Sequence, residues 1–548
     1  MNKKSNISKI SILIFGFILL NFISSKLYQR FDLTEDQRYT LSEPAKNILE
    51  NLNTPITINV YLEGEFPTEF KRLQIETQQL LEELQSENKN IRFRFINPLG
   101  NEETLINQGL EPSQLSVQQN GVVSEIVIFP WATIKKGNKI ERVSLLKDTN
   151  AQTQEAQLEN AIQNLEYAFV DAIHKINADK NKSIAVLKGN NELDDIYLYD
   201  FLQTLGQYYH LGKFTLDSVT TNPTKTLDNL SKFDLVLIAK PTEHFTENEK
   251  YTLDQYFING GKTLWLVDNV HAELDSLMKT GESLAYPRDL NLTDLFFNYG
   301  ARINPDLVID LYSSKIPLAI GNIGNQTQYD QFLWPYYPVA QSANNHPINK
   351  HITPVNFKFT NSIDLLKNDI KKTVLLQSSP LSKTIGTPTI INLESIREKT
   401  NPAEFNNGNQ PLAVLLEGNF KSAYADRIKP YKTKISKNTS EANKMILIAD
   451  GDVIANQISR GQPTALGIDI WTGQNFGNKE FLMNCVNYLL DDEGLLEIRN
   501  KTVDLKILNR EKAFNERTFY QFLNVIFPLV LLGLFGIIFN LIRKKKYS

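Results

Sequence analysis

Cysteine is almost absent from this chain. One residue in 548, Cys485, carries a thiol, so no intrachain disulfide can form. A body exported from the cytoplasm would have to be held by its own core, and the chain is long enough to build one. Cys485 lies in FLMNCVNYLL, an apolar helical pattern, and reads as a buried structural thiol. No G-x-S-x-G occurs, and Cys485 does not follow a strand, so no nucleophile elbow is offered and no catalytic residue is expected. The six histidines are scattered. His346 and His351 are five apart in a proline-containing loop, which is not a helical i, i+4 pair, so no metal site is expected. Gly261-Lys262-Thr263 resembles the end of a phosphate loop, but Tyr256 stands where its first glycine belongs. The order is also reversed, with a helix before and a strand after, so no nucleotide or other cofactor is expected. A large excess of charge of one sign is absent as well. The net charge is −4, and seven cations sit at the tips (Lys3, Lys4, Lys9, Arg543, Lys544, Lys545 and Lys546). The acidic remainder argues against nucleic acid as a partner.

Two apolar runs stand out. Phe519 to Ile542 contains no charged residue, and at about 1.5 Å per residue its 24 residues span about 36 Å. That is enough for a hydrocarbon core of about 30 Å. Pro528 inside it is tolerable in lipid, and the basic cluster from Arg543 places that end in the cytoplasm. Ile10 to Ile23 follows three lysines and is shorter. It resembles a signal peptide, but no A-x-A cleavage pattern appears, and the run can extend through Leu27 if Lys26 snorkels. We read it as an uncleaved anchor. Both termini would then be cytoplasmic, in contact with membrane lipid, with the body in the periplasm.

The segments divide at residues 1–28 (anchor), 29–180, 181–494, 495–518 (a polar stalk), 519–542 (span) and 543–548 (tail). In the first body segment, TLSE at Thr40 to Glu43 reads as a helix cap before Pro44. Strands are expected at Pro55–Leu62 and Ile91–Pro98 around a helix at Glu69–Asn88. Gly121–Pro130 and Lys139–Leu146 read as a hairpin across Lys136-Gly137, and a helix over Gln152–Asn177 closes the unit. This β-α-β-β-β-α order is that of a thioredoxin-like fold without redox cysteines. The second segment alternates: strand Ser183–Asn190, helix Tyr197–Tyr209, strand Phe233–Pro241, helix Thr246–Asn259 stopped by Gly260-Gly261, strand Lys262–Asn269. Such alternation predicts an α/β fold with a doubly wound parallel sheet. Further strands are expected at Thr373–Ser379, Pro411–Phe420 and Lys444–Asp452. Ser313–Phe357 reads as loop-rich, and Lys429–Asn443 as polar and mobile. No internal repeat is present.

In such a sheet ligands bind at the carboxyl ends of strands. Asp450 and Asp452 fall there and could hold a cation or a sugar hydroxyl; the plainer reading is a turn in which Asp452 caps the next helix. Asn190, Asn191, Glu192 and Asp194 follow the first strand and Asp268 ends another, with the same two readings open. Trp334, Tyr336 and Tyr337 in WPYYP could stack on sugar rings or cover a core edge or partner.

Several of these stretches together resemble a known family: RFDLTEDQRYTLSE after the first span, Gly189-Asn190-Asn191-Glu192-Leu193, NGGKTLWLVD, NHPI, PLAVLLEGNF and IADGD. In this order they resemble the GldG-type gliding-motility ABC-transporter auxiliary proteins of Bacteroidota, over nearly the whole chain. That family usually has a Gly-His-Gly-Glu-like turn where this chain has Gly189-Asn190-Asn191-Glu192. The resemblance implies an ABC permease and a separate cytoplasmic ATPase as partners. It also implies a periplasmic domain distantly like glutamine amidotransferases but lacking their cysteine. The expected function is a non-enzymatic auxiliary subunit in gliding motility, with the stalk passing motion outward. The alternative is a membrane-tethered solute- or polysaccharide-binding protein with a glycan or protein as substrate. An unconventional hydrolase using Asp450 ranks last.

Overall fold

The computed structural model describes residues 40–64, 68–119, 122–146, 154–177, 180–324, 326–350, 352–397, 400–491, 494–501 and 510–547, with Gly16, Asp32 and Phe66. Apart from Gly16, the expected N-terminal span lies outside the described residues, as does His351. Two units separate, residues 1–502 and 503–548.

The first unit opens with helix α1 (Glu43–Glu50). Pro44 lies in its first turn, but the Ser42 side chain makes no cap; its N–H instead reaches Glu166 Oε1 at 2.8 Å. Strands β1 (Ile56–Val60) and β2 (Ile91–Phe95) run parallel, joined by α2 (Thr68–Glu87). Ile56, Ile58 and Val60 alternate inward, as a half-buried strand requires. β3 (Trp131–Lys136) is antiparallel to β1 and makes the hairpin at Lys136-Gly137 with β4 (Lys139–Ser144), giving the order β2-β1-β3-β4. The expected partner in that hairpin is therefore corrected: Val122–Ile128 pairs with Ser113–Gln119 instead. Helix α3 (Gln154–Asn177) buries Phe169, Val170 and Ile173.

A ten-stranded mixed sheet follows. In chain order its long strands are β5 (Ser183–Lys188), β6 (His210–Thr215), β7 (Leu235–Ala239), β8 (Lys262–Leu266), β9 (Ser313–Ile323), β10 (Gln326–Ser342), β11 (Lys371–Gln377), β12 (Pro411–Lys421) and β13 (Thr439–Ile448). They lie in the order β9-β10-β11-β12-β13-β8-β7-β5-β6, with Val355–Asn356 beside β10. β13, β8, β7, β5 and β6 are mutually parallel; β9 to β12 extend the sheet antiparallel. The expected wholly parallel sheet is thus half of the real one. Within the parallel half, spatial order by sequence is 2-1-3-4-5, which puts a topological switch between β5 and β7.

Both faces of this half are covered. On β5, Ala185 and Leu187 join one core with Trp265 and Phe257, while Ile184 and Val186 join another with Phe201 and Phe481. Helix α4 (Asp195–Tyr208) and α7 (Asn478–Leu490) contribute to the second. α5 (Pro223–Leu230) and α6 (Glu247–Ile258) contribute to the first. α6 starts with a capping box: Thr246 Oγ1 accepts from Glu249 N, and Glu249 accepts from Thr246 N. Every residue from Lys250 to Ile258 is buried, because the segment expected to be mobile packs over the helix. Tyr431 lies 4.8 Å from Tyr251, and Lys437 N donates to Gln255 at 2.8 Å.

The expected loop around WPYYP is instead the long β9–β10 hairpin. Register shifts between Ser313 and Lys315 and between Ala319 and Gly321 mark bulges. β10 meets β11 only at Gln341 and Ser342, so Pro335 and Pro338 remove no bond on that side.

The first part of the expected polar stalk packs into the body. Leu495–Asn500 is a 3-10 turn with Leu495, Leu496 and Ile498 buried. Arg499 sits 5.0 Å over the Tyr167 ring of α3, and Lys501 pairs with Glu166 at 2.7 Å. Lys501 Nζ also donates to Thr40 O at 2.8 Å, so the two ends of the described body meet on one helix.

In the second unit a single helix, α8 (Arg517–Tyr547), contains the expected C-terminal span and Pro528. It is long and apolar enough to cross a membrane, and none of its apolar stretch is buried within the protein.

Candidate functional site

The parallel strands end at one edge, and there the structure gathers two expected carboxylates, Asp268 and Asp452, and a third, Glu273, around a lysine. β7 ends at Ala239, and the next residue, Lys240, takes a left-handed φ of 54°. Its N–H reaches Leu266 O, and its side chain turns into the strand ends. Nζ lies 2.8 Å from both carboxylate oxygens of Asp452, 3.2 Å from Glu273 and 3.5 Å from Asp268. Asp268 follows β8 and in turn accepts the Gly451 N–H. Gly451 permits this approach: a Cβ there would lie 2.4 Å from Lys240 Cβ. Asp450, not Asp452, caps the turn after β13, with Oδ1 accepting Asp452 N at 2.7 Å and Oδ2 accepting Lys358 N.

Burial alone would lower the Lys240 pKa. The charges of Asp452, Asp268 and Glu273 outweigh burial and hold the ammonium protonated, above its ordinary range. Burial, opposed by Lys240, pushes Asp268 up to about 6. Asp450 is fully buried and is driven well above the carboxylate range by burial and by the charges of Asp268 and Asp452. Burial would raise Asp452 too, but Lys240 and Lys358 keep it below its usual value. The ammonium therefore occupies the place a bound cation would take among these acids. It has no lone pair with which to attack a substrate. Chemically this is a charged tie across the ends of β7, β8 and β13.

Asn191 and Glu192 belong to the neighbouring turn after β5, on the other side of the switch. Asn191 has φ 53°, and its O accepts from Thr242 Oγ1 at 3.1 Å. Thr242 N and Glu243 N both donate to Asn190 O at 3.0 Å, which stitches this turn to the one beginning at Lys240. Glu192 Oε2 accepts Asn190 N at 3.0 Å; Glu192 Oε1 and Asn190 Oδ1 are buried with no hydrogen bond among the described residues. Burial raises the Glu192 carboxyl.

Trp334 and Tyr336 are not brought to this edge. Trp334 is fully buried, 5.0 Å from Tyr336, in a core with Phe359 and Ile316 under the β9–β10 hairpin. It cannot present a face to a sugar, which corrects the stacking expectation. His346 rests against Tyr488 at 5.0 Å, and burial lowers its pKa. Cys485 is fully buried, and burial drives its thiol upward.

Sequence reasoning missed Lys240 and Glu273. A lysine directly after five apolar strand residues and before Pro241 was a usable signal. Glu273 had none, since the irregular turn after Asp268 brings it back.

The class of protein so defined is an α/β body on a chain that also carries a membrane-length apolar helix. Residues 181–485, more than half of the chain, match the family described as ABC-type uncharacterized transport system, and the chain belongs to that family. Residues 35–135 match a domain of unknown function, DUF7088. An uncharacterized protein of Borreliella burgdorferi is 22% identical over 553 residues, covering 99% of this chain and 98% of its own. Among solved structures, the mmIFT52 N-terminal domain is 14% identical with a TM-score of 0.33, covering 56% of this chain and 97% of its own. A ThuA-like protein of Parabacteroides merdae is 11% identical with a TM-score of 0.26, covering 60% and 94%.

Proposed function

We propose that this chain is a non-enzymatic auxiliary subunit of an ABC transport complex, of the GldG type that serves gliding motility in Bacteroidota. Its partners are a membrane permease and a separate cytoplasmic ATPase. The observation that carries the reading is the family match over residues 181–485 on a chain that also bears an unburied apolar helix at Arg517–Lys545. Two spans, cytoplasmic termini and a periplasmic body complete the reading. The adjacency of Thr40 and Lys501 supports it, because two spans leaving one face need the body's ends side by side. The order β2-β1-β3-β4, with β3 antiparallel to β1, supports a thioredoxin-like domain before the doubly wound one. We assign the strand-end edge, with Asn191, Glu192, Asp268, Asp450 and Asp452, to contact with a partner or substrate.

The test is affinity purification of the tagged full chain from native membranes in mild detergent, followed by mass spectrometry. Stoichiometric recovery of a permease and an ATPase is expected. Recovery of the chain alone in several mild detergents would reject the subunit reading.

A further inference from the structure

A cavity of about 380 Å³ lies where α1, α3, the ends of α4 and α7, and the Leu495–Leu496 turn converge. It shares no residue with the strand-end cluster. Its size falls at the lower end of the roughly 300–1,000 Å³ of small-molecule sites.

The walls differ in chemistry. On α3, Asp171 and Lys175 pair at 2.7 Å through Asp171 Oδ2, while Oδ1 is buried and has no hydrogen bond among the described residues. An unspent buried acceptor costs free energy until a donor reaches it. A second wall carries Lys180 and Lys182; the Lys180 ammonium donates to Gly206 O and that of Lys182 lies 3.9 Å from Asp234, and each keeps further N–H groups to donate. A third is apolar, with Leu490, Leu495 and Leu496 all buried. Gln207, exposed at the end of α4, adds a carboxamide that can donate and accept at once. A simple anion would leave Asp171 Oδ1 unmatched. A simple cation would face three lysines against two acids, Asp171 and Asp491, and both Asp491 oxygens already accept backbone N–H groups, from Gly494 and Leu496. The lining matches a molecule with an ammonium at one end, a carboxylate at the other, and an amide and an apolar group between.

We propose that this cavity binds a short unblocked peptide of two or three residues. Its ammonium donates to Asp171 Oδ1, its carboxylate meets Lys180 and Lys182, and an apolar side chain packs on Leu490, Leu495 and Leu496. Ile48 and Leu496 belong to the segments at the two ends of the body, so a bound peptide also braces the junction on α3. The proposal needs neither permease nor ATPase.

Calorimetric titration of the detergent-solubilised full chain tests it, with Ala-Leu and Ala-Leu-Ala, each also as its N-acetyl and its C-amide form. Saturable heat is expected from at least one free peptide, weakened about tenfold or more by either block, because each removes a charge-assisted hydrogen bond. Asp171→Asn should weaken the free peptide and leave the N-acetyl form unchanged. Gln207→Trp, at an exposed position that leaves the fold intact, should fill the mouth and abolish the heat. No saturable heat from any of the six probes, or equal binding of free and blocked forms, would overturn the proposal. So would undiminished binding in folded Gln207→Trp.

Discussion

Lys240→Met leaves three carboxylates at the strand ends without the ammonium they share. Breaking a buried pair by removing one partner costs about 3–5 kcal/mol, because the remaining charges stay in a desolvated site. The expected result is a lower Tm for Lys240→Met in differential scanning fluorimetry, with partial recovery when Asp452→Leu is added. A Tm within a degree of the parent would show that the tie is idle. Asp268 is a second residue with a measurable signature. Its folded pKa of about 6 lies above its ordinary 3.8, so the folded state holds this proton more tightly than the unfolded chain. The resulting stabilisation is fully present below pH 3.8 and is lost as pH rises through about 6. Asp268→Asn keeps an acceptor for Gly451 N–H and never ionises. Its stability relative to the parent should therefore improve between pH 4 and pH 7, on the order of 2 kcal/mol. Parallel melting profiles across that range would contradict this. Asp268, Asp450 and Asp452 were readable as strand-end acids, because each follows an apolar run. Lys240 carries a signal of its own, as a lysine closing an apolar strand before Pro241, but its turn into the space between these acids is not readable, since it depends on a left-handed backbone packed against Gly451.

At the scale of elements, α3 does more than close the first sheet. Glu166 accepts Ser42 N at 2.8 Å on one oxygen and pairs with Lys501 at 2.7 Å on the other. Arg499 adds contacts to Tyr167 and, at 3.7 Å, to Glu480. A pull on either end of the body is therefore delivered to the same helix. Glu166→Gln keeps the acceptor for Ser42 and loses the ion pair, a change of about 1–3 kcal/mol at a mostly buried site. Hydrogen exchange should show faster exchange at Leu495–Asn500 with β7 and β8 unaffected; unchanged protection of that turn would mean the clamp is not held by this pair. Element legibility followed periodicity. β7 and β8 were evident as short apolar runs, and α6 as a helix between Thr246 and Gly260. The hairpin at Lys136-Gly137 had its turn identified and its first strand misassigned, because Val122–Ile128 alternates as well and its true partner, SQLSVQQ, is too polar to stand out. WPYYP was misread because two prolines argue against a strand, and only bulges and one-sided pairing make room for them.

Over the whole molecule, strand direction was the least legible property. Pro411–Phe420 is a nearly continuous apolar run, the pattern of a parallel strand, because it is covered on both faces, yet it lies antiparallel between β11 and β13. Burial sets that pattern, and direction leaves no mark in composition. Topology across the membrane is legible only through charge: the four cations after Ile542 are the reason to expect the tail on the cytoplasmic side. The structure offers a clean way to check it. Cys485 is buried with its thiol pushed upward, so it resists alkylation in the folded protein, and Cys485→Ser removes it altogether. Ile428 is 95% exposed on the body, and Tyr547 ends α8 beyond the basic cluster. In intact spheroplasts a membrane-impermeant maleimide should label Ile428→Cys fully and Tyr547→Cys only after lysis. The reverse pattern would put the body in the cytoplasm. A body there could not carry motion to the outside, and the transport-coupling reading would fall with it.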